Sequence, residues 1–365
     1  APIEEEKTRR NTVIARRPLA VSPRRDESVA LVIAEQPAAE ATSDHAIASE
    51  SREEYVCVRT WPNELAWIGP QGVAVDSSGS IYVTDDGRDH RVLKFDPNGV
   101  LLTAWGGKGN GDGQFNSPGD IAVDSSGNVY VVDVSNCRVQ KFASDGVFLT
   151  KWGSGERSLW SQRDENKDGL FKNPSGIAVD REGNVYVADT GNDRIQKFTS
   201  DGTFLSKWGK KGYGEGQFNS PRGIAADSAG NVYVADTYNQ RIQKFTSNGV
   251  FLTKWGTRGN KGGRFNNPES IAVDSAGSVY VADWNNRVQK FTSDGVFLTS
   301  WGEKGRLIDV YDRKKTTQRL KSIDDLFMGP SGIAVDDSGN VYVTDRGNMR
   351  IKVYRQAKDV VKPAR

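Results

Sequence analysis

Histidine is almost absent from this chain of 365 residues, which has only His45 and His90. A histidine-rich zinc site, or a catalytic constellation built from several imidazoles, cannot be assembled from them. Cysteine is as scarce: Cys57 and Cys137 make no disulfide framework in a chain of this size. No run of about 18 apolar residues occurs, which argues against a transmembrane helix. Charge of one sign is lacking too, with 49 Lys and Arg against 47 Asp and Glu for a net +2. No global field therefore draws the chain to nucleic acid or membrane, and only local patches can do so. What is plentiful is glycine, 39 residues, together with 9 tryptophans, and that balance suits turn-rich β-structure.

One phrase recurs. NVYVADTYNQRIQKF from Asn231 has near-copies beginning at Ser80, Asn128, Asn184, Ser278 and Asn340. Anchored on the Asp that closes GIAVD, the copies fall at Asp76, Asp124, Asp180, Asp227, Asp274 and Asp336, with steps of 48, 56, 47, 47 and 62 residues. A period of roughly 40–50 residues with several short strands per unit points to propeller blades. Within one unit, β-branched and aromatic runs predict strands a (Ile224 to Asp227), b (Val232 to Asp236), c (Arg241 to Phe245) and d (Phe251 to Trp255), joined by the tight turns SAGN and TSNG.

PRGIAADSAGNVYVADTYNQRIQKFTSNGVFLTKWG resembles an NHL repeat, and the resemblance covers Trp61 to Tyr354. It implies an all-β, six-bladed β-propeller of four-stranded antiparallel blades. The sixth unit lacks a strand d, whereas VCVRTW from Val56 has that pattern, so Cys57 to Trp61 is expected to complete the last blade beside Ile351 to Tyr354. Cys57 then takes the place of Phe251 as a buried thiol, and no bridge to Cys137 is expected. The domain reading is an N-terminal arm or linker over 1–54, disordered unless bound to a partner, the propeller over 55–356 and a tail over 357–365. The chain opens with APIEEE, without Met or an apolar signal segment. It is read as processed: removal of a secretory signal would make it extracytoplasmic, secreted or periplasmic, and trimming of an expression tag is the alternative.

Repetition separates scaffold from site. Each unit has an Asp ending strand b (Asp85, Asp133, Asp189, Asp236, Asp283, Asp345) and an Arg starting strand c (Arg91, Arg138, Arg194, Arg241, Arg287, Arg350), a cross-strand pair expected to be structural rather than a charged ring around a pore. The Trp ending strand d is read as blade packing. Function should lie where copies differ, on the face shared by the b–c and d–a loops, because both long insertions are d–a loops, 28 and 35 residues from Trp to Asp against 19 elsewhere.

Three chemistries are weighed for that face. Histidine-rich metal sites of NHL-like amidating lyases are not carried over, since the residues are missing, and His90 is expected to be an exposed polar residue rather than a base. In the first insertion Asp164, Asn166, Asp168 and Gly169 fit the opening of a calcium loop, the only cofactor suggested. Its twelfth position is Ser175 rather than Glu, and DGLF aligns with DGQF at Asp112, so Ca²⁺ binding stands beside a solvated polar loop. The second insertion interleaves Arg306, Arg313, Lys314, Lys315, Arg319 and Lys321 with Tyr311 and aliphatic residues, a pattern that suits RNA, as in NHL domains of tripartite-motif proteins, or a protein. Four aspartates dilute its charge and favour protein. The sequence points to a non-catalytic protein-binding or assembly module of a larger complex, contacting its partner through Trp160, Tyr238, Trp284, Arg306, Tyr311 and Lys315 and through the arm. A Ca²⁺-dependent hydrolase or lactonase and an RNA-binding propeller are the alternatives.

Overall fold

The computed structural model describes residues 53–61, 69–153, 167–305 and 326–360. Six four-stranded antiparallel sheets, the blades, span residues 70–106, 118–153, 177–208, 221–255, 268–301 and 330–356, the last completed by Tyr55–Trp61. Blade 4 shows the pattern: Pro221–Ala226, Val232–Asp236, Arg241–Phe245 and Phe251–Trp255 are strands a to d. Strand a begins three residues before the sequence reading placed it, and the other three agree.

Burial runs in a gradient across each blade. All five residues of strand b, Val232 to Asp236, are buried, because a middle strand has a neighbouring blade on each face. Strand d alternates half-buried and exposed positions, as befits an outer edge. Strands a pack side by side around the axis, the first against the last. That close approach requires glycine: a Cβ on Gly176 would stand 2.0 Å from the Arg222 carbonyl oxygen. Six apolar cores lie between blades rather than within them, so no blade can bury its surface alone.

Junctions between consecutive blades repeat one design. The Trp ending strand d lies against the glycine of the next blade's c–d turn; at Gly146, with φ of +92°, a Cβ would come within 2.6 Å of the Trp105 ring. A lysine of strand c, such as Lys141, lies over its own blade's Tyr130 ring, 5.1 Å from the centroid, and donates to the Ser200 carbonyl of the next c–d turn at 3.1 Å. The tryptophans are therefore packing groups, as expected.

The ring closes as predicted. Tyr55–Trp61 pairs antiparallel with Arg350–Gln356, Cys57 opposite Tyr354 and Trp61 opposite Ile351. Cys57 is half-buried rather than buried, since the register shifts between Cys57 and Arg59 and turns its thiol toward the Arg59 carbonyl and the Thr60 hydroxyl. No disulfide joins it to Cys137. Because strand d of blade 6 arrives from the other end of the chain, that blade has no c–d turn, and other groups do the turn's work. Tyr55 stacks on Trp301 with centroids 4.1 Å apart and planes 9° from parallel. Lys290 Nζ meets the Glu53 carboxylate at 2.7 Å. In blade 6 Val353 stands where the others have lysine, and Arg59 donates to the Pro97 carbonyl at 2.6 Å instead.

Candidate functional site

All six expected Asp–Arg pairs form, and they are structural. Arg138 Nε donates to Asp133 Oδ2 at 2.8 Å, and its remaining nitrogens donate to the Asn110, Gly111 and Gln114 carbonyls of the d–a loop. Asp133 Oδ1 accepts the Asn116 N–H of the same loop at 2.7 Å. Equivalent pairs join Asp85 to Arg91, Asp189 to Arg194, Asp236 to Arg241, Asp283 to Arg287 and Asp345 to Arg350. Burial pushes the Asp133 carboxyl above the usual carboxylate range, with loop amides and Arg138 pulling the other way. These groups tie loops down and do not face the axis.

His90 corrects the sequence reading, for it is buried and not exposed. It precedes the strand c arginine in a slot that has a left-handed backbone in every blade: His90, Cys137, Asp193, Gln240, Asn286 and Met349 have φ between 48° and 61°. In this slot His90 Nδ1 accepts the Ser117 N–H of the next loop at 2.9 Å, as Asp193 Oδ1 accepts that of Ser220 at 2.7 Å. Its role is a staple between blades.

Where copies differ, the axis opens onto the b–c and d–a loop face through a cavity of about 320 Å³. Two ion pairs border it. Arg222 Nη1 donates to both Glu269 carboxylate oxygens at 2.6 and 2.8 Å. Burial works against the Arg222 charge, yet Glu269 holds the guanidinium above its ordinary value. Across the ring Arg346 lies 3.4 Å from the Asp86 carboxylate and donates to the Gln71 amide oxygen. Asp120 also lines the cavity, with Oδ2 accepting the Ile177 N–H at 3.2 Å. Burial pushes its carboxyl up to about 7 against these backbone hydrogen bonds. None of these five charged groups was singled out from the sequence. Arg222, Glu269 and Asp120 are marked by disagreement among copies in the two positions after the proline that opens strand a, and Asp86 and Arg346 by disagreement at the first position of the b–c loop.

The b–c and d–a loops of this face also carry large exposed side chains that the repeat does not explain. Tyr238 and Trp284, expected contact residues, are 50% and 49% exposed on b–c loops of adjacent blades. Tyr213, on the d–a loop before blade 4, is 77% exposed, and Met349 of blade 6 is 48% exposed. The Arg222 guanidinium lies 6.0 Å from the Tyr238 ring centroid. Trp160, Arg306, Tyr311 and Lys315, and Asp164 and Asn166 of the calcium reading, lie outside the described residues. Asp168 pairs with Lys207 at 2.5 Å, matching Glu215 with Lys254 in the next blade, so it takes part in a repeated surface pair. Among the described residues no group of three or more His, Cys, Asp or Glu is placed to hold a metal ion, and no helix is long and apolar enough to cross a membrane.

The repeating unit also has a family counterpart. The model of the NHL repeat matches residues 68–95, 115–142, 171–198, 218–245, 265–291 and 327–354, once in each blade. The chain is an NHL-repeat propeller. This NHL propeller is 52% identical over 40 residues to Protein lin-41 of Caenorhabditis elegans, a stretch that is 11% of the chain and 4% of that protein. It is 44% identical over 45 residues to Protein brain tumor of Drosophila melanogaster, 12% of the chain and 4% of the relative. The matched stretches are thus a small part of both relatives. Among solved structures, a streptogramin B lyase superposes with a TM-score of 0.54 at 15% identity, covering 83% of the chain and 98% of the lyase. A gluconolactonase of Xanthomonas campestris gives 0.52 at 14%, covering 79% and 86%. At such identities these likenesses speak for the fold alone.

Proposed function

We propose that this NHL propeller is a non-catalytic protein-binding or assembly module that meets its partner with the b–c and d–a loop face, as a subunit of an extracytoplasmic complex. The observation that carries this reading is the one-sided placement of Tyr213, Tyr238, Trp284 and Met349, exposed where their counterparts in other copies are small or polar. Exposed Val100, Val147, Val250 and Val296 recur in copy after copy and belong to the scaffold. Exposed aromatic anchors gathered on one loop face have the anatomy of a protein contact.

The described arrangement supports binding over hydrolysis, because Asp86 and Glu269 at the opening are already engaged by Arg346 and Arg222. A second reading, binding of single-stranded RNA, is favoured by exposed Lys210, Lys211, Arg258, Lys261 and Arg264 on the d–a loops around Tyr213. The experiment replaces Tyr238 and Trp284 with Ala separately, checks that melting is unchanged, and compares capture of native-source proteins with that by the unaltered chain. Loss of a specific protein on either substitution supports the proposal, and indifference to both overturns it. RNA retention that falls steeply with salt would put the second reading first.

A further inference from the structure

Two residues after the first proline of strand a, or at the aligned place in blade 3, the copies carry Gly72, Asp120, Gly176, Gly223, Ser270 and Gly332. One blade in six thus places an acid at this position of the innermost strand. Its neighbour is shaped around it, since a Cβ on Gly72 would stand 2.8 Å from Asp120 Oδ1. The Asp120 backbone is held as well, its N–H donating to the Ser175 carbonyl at 3.3 Å.

Charge around the cavity does not balance. The charged groups facing Asp120 from the other blades are Asp86 and Arg346 on one side and Arg222 and Glu269 on the other, with His90 Nδ1 3.8 Å from Asp86. Both arginines are taken, Arg222 by Glu269 and Arg346 by Asp86. Asp120 is left over: its hydrogen bonds come from backbone amides, and no cationic side chain among the described residues bonds to it. A half-buried carboxyl without a counterion among the described residues, in a cavity that opens on the loop face, is complementary to a slender cationic group.

We propose that the axial cavity receives a primary ammonium group with Asp120 as its counterion. Resting on the protein-binding reading, the ammonium is the side chain of a partner lysine entering from the loop face, and a free small amine is the other source of the same chemistry. Ammonium binding requires the ionised carboxylate. The carboxyl titrates at about 7, so apparent affinity falls about tenfold per pH unit below that point and levels off above it.

The probe is Nα-acetyl-lysine N-methylamide, with the Nε-acetylated compound as control, titrated into the full chain from pH 5 to 8. Expected are saturable millimolar binding of the probe and none of the control. Asp120→Gly, which restores the residue most copies carry there, and Asp120→Asn should each weaken binding at least tenfold while retaining the unaltered melting temperature. In the unaltered chain the Asp120 carboxyl ¹³C titration should move to lower pH when the probe is present. Equal binding to the unaltered chain and Asp120→Gly, equal binding of the control, or a titration that ignores the probe would overturn the proposal. Partner capture identifies the source: at least a tenfold loss in Asp120→Gly means a lysine of the partner, and unchanged capture with lost probe binding means a free amine. Trp284→Ala tests docking separately, because it should reduce capture and leave probe binding intact.

Discussion

Four blade junctions are variations on one contact, and the two that flank the composite blade are assembled from parts. Within the continuous chain, a c–d turn supplies the glycine that receives the tryptophan and the carbonyl that receives the lysine. At the two sides of the composite blade the same positions are met by an aromatic ring, a carboxylate and an arginine. What is preserved is the covering of each indole and the placement of one cation at each seam, not the residues that do it. The geometry of the ring selects the interaction, and different side chains can satisfy it.

The comparison breaks most visibly if the donated strand is removed. A chain lacking residues 1–62 should lose cooperative melting and aggregate, because the c strand of blade 6 becomes an open edge, whereas a chain lacking 1–50 should melt as the intact protein does. Equal behaviour of the two truncations in calorimetry would show that closure does not depend on this strand.

A finer cut is Tyr55→Ala, which leaves the strand but uncovers Trp301. The ring is 7% exposed, so its loss should cost about 3 kcal/mol, read as a lower midpoint in urea at unchanged slope. Intrinsic fluorescence should shift to the red as one indole gains water. The smallest expected effect is Arg59→Ala. Its bond to the Pro97 carbonyl is at the surface, and its removal should cost roughly 0.5–1 kcal/mol. A cost as large as that of Tyr55→Ala would mean that the seam relies on the cation more than on the ring.

Strands b, c and d of blade 4 were legible to the residue because they are short β-branched runs between glycine turns. Strand a was not, since Pro221, Arg222 and Gly223 read as punctuation although Pro221 pairs with Asp236 and the other two form the irregular step before Ile224. The Asp–Arg pairs were legible from cross-strand register alone. His90 was misjudged because loop sequence does not reveal that its left-handed slot points a side chain inward at the next blade. The cavity was hidden for a related reason. Asp120, Arg222, Glu269 and Arg346 are far apart in sequence and meet only when the ring closes, although each could have been flagged as a departure from its copies.

Closure by the first strand also sets a timetable for synthesis. Glu53 and Gln356, hydrogen-bonded in the finished ring, are 303 positions apart. At 5–20 residues per second the ribosome takes about 15–60 s to span them. Throughout that interval Tyr55–Trp61 has been made and its partner, Arg350–Gln356, has not. Earlier blades can stack in order as they emerge, each on the one before, while the first strand waits for the last to arrive.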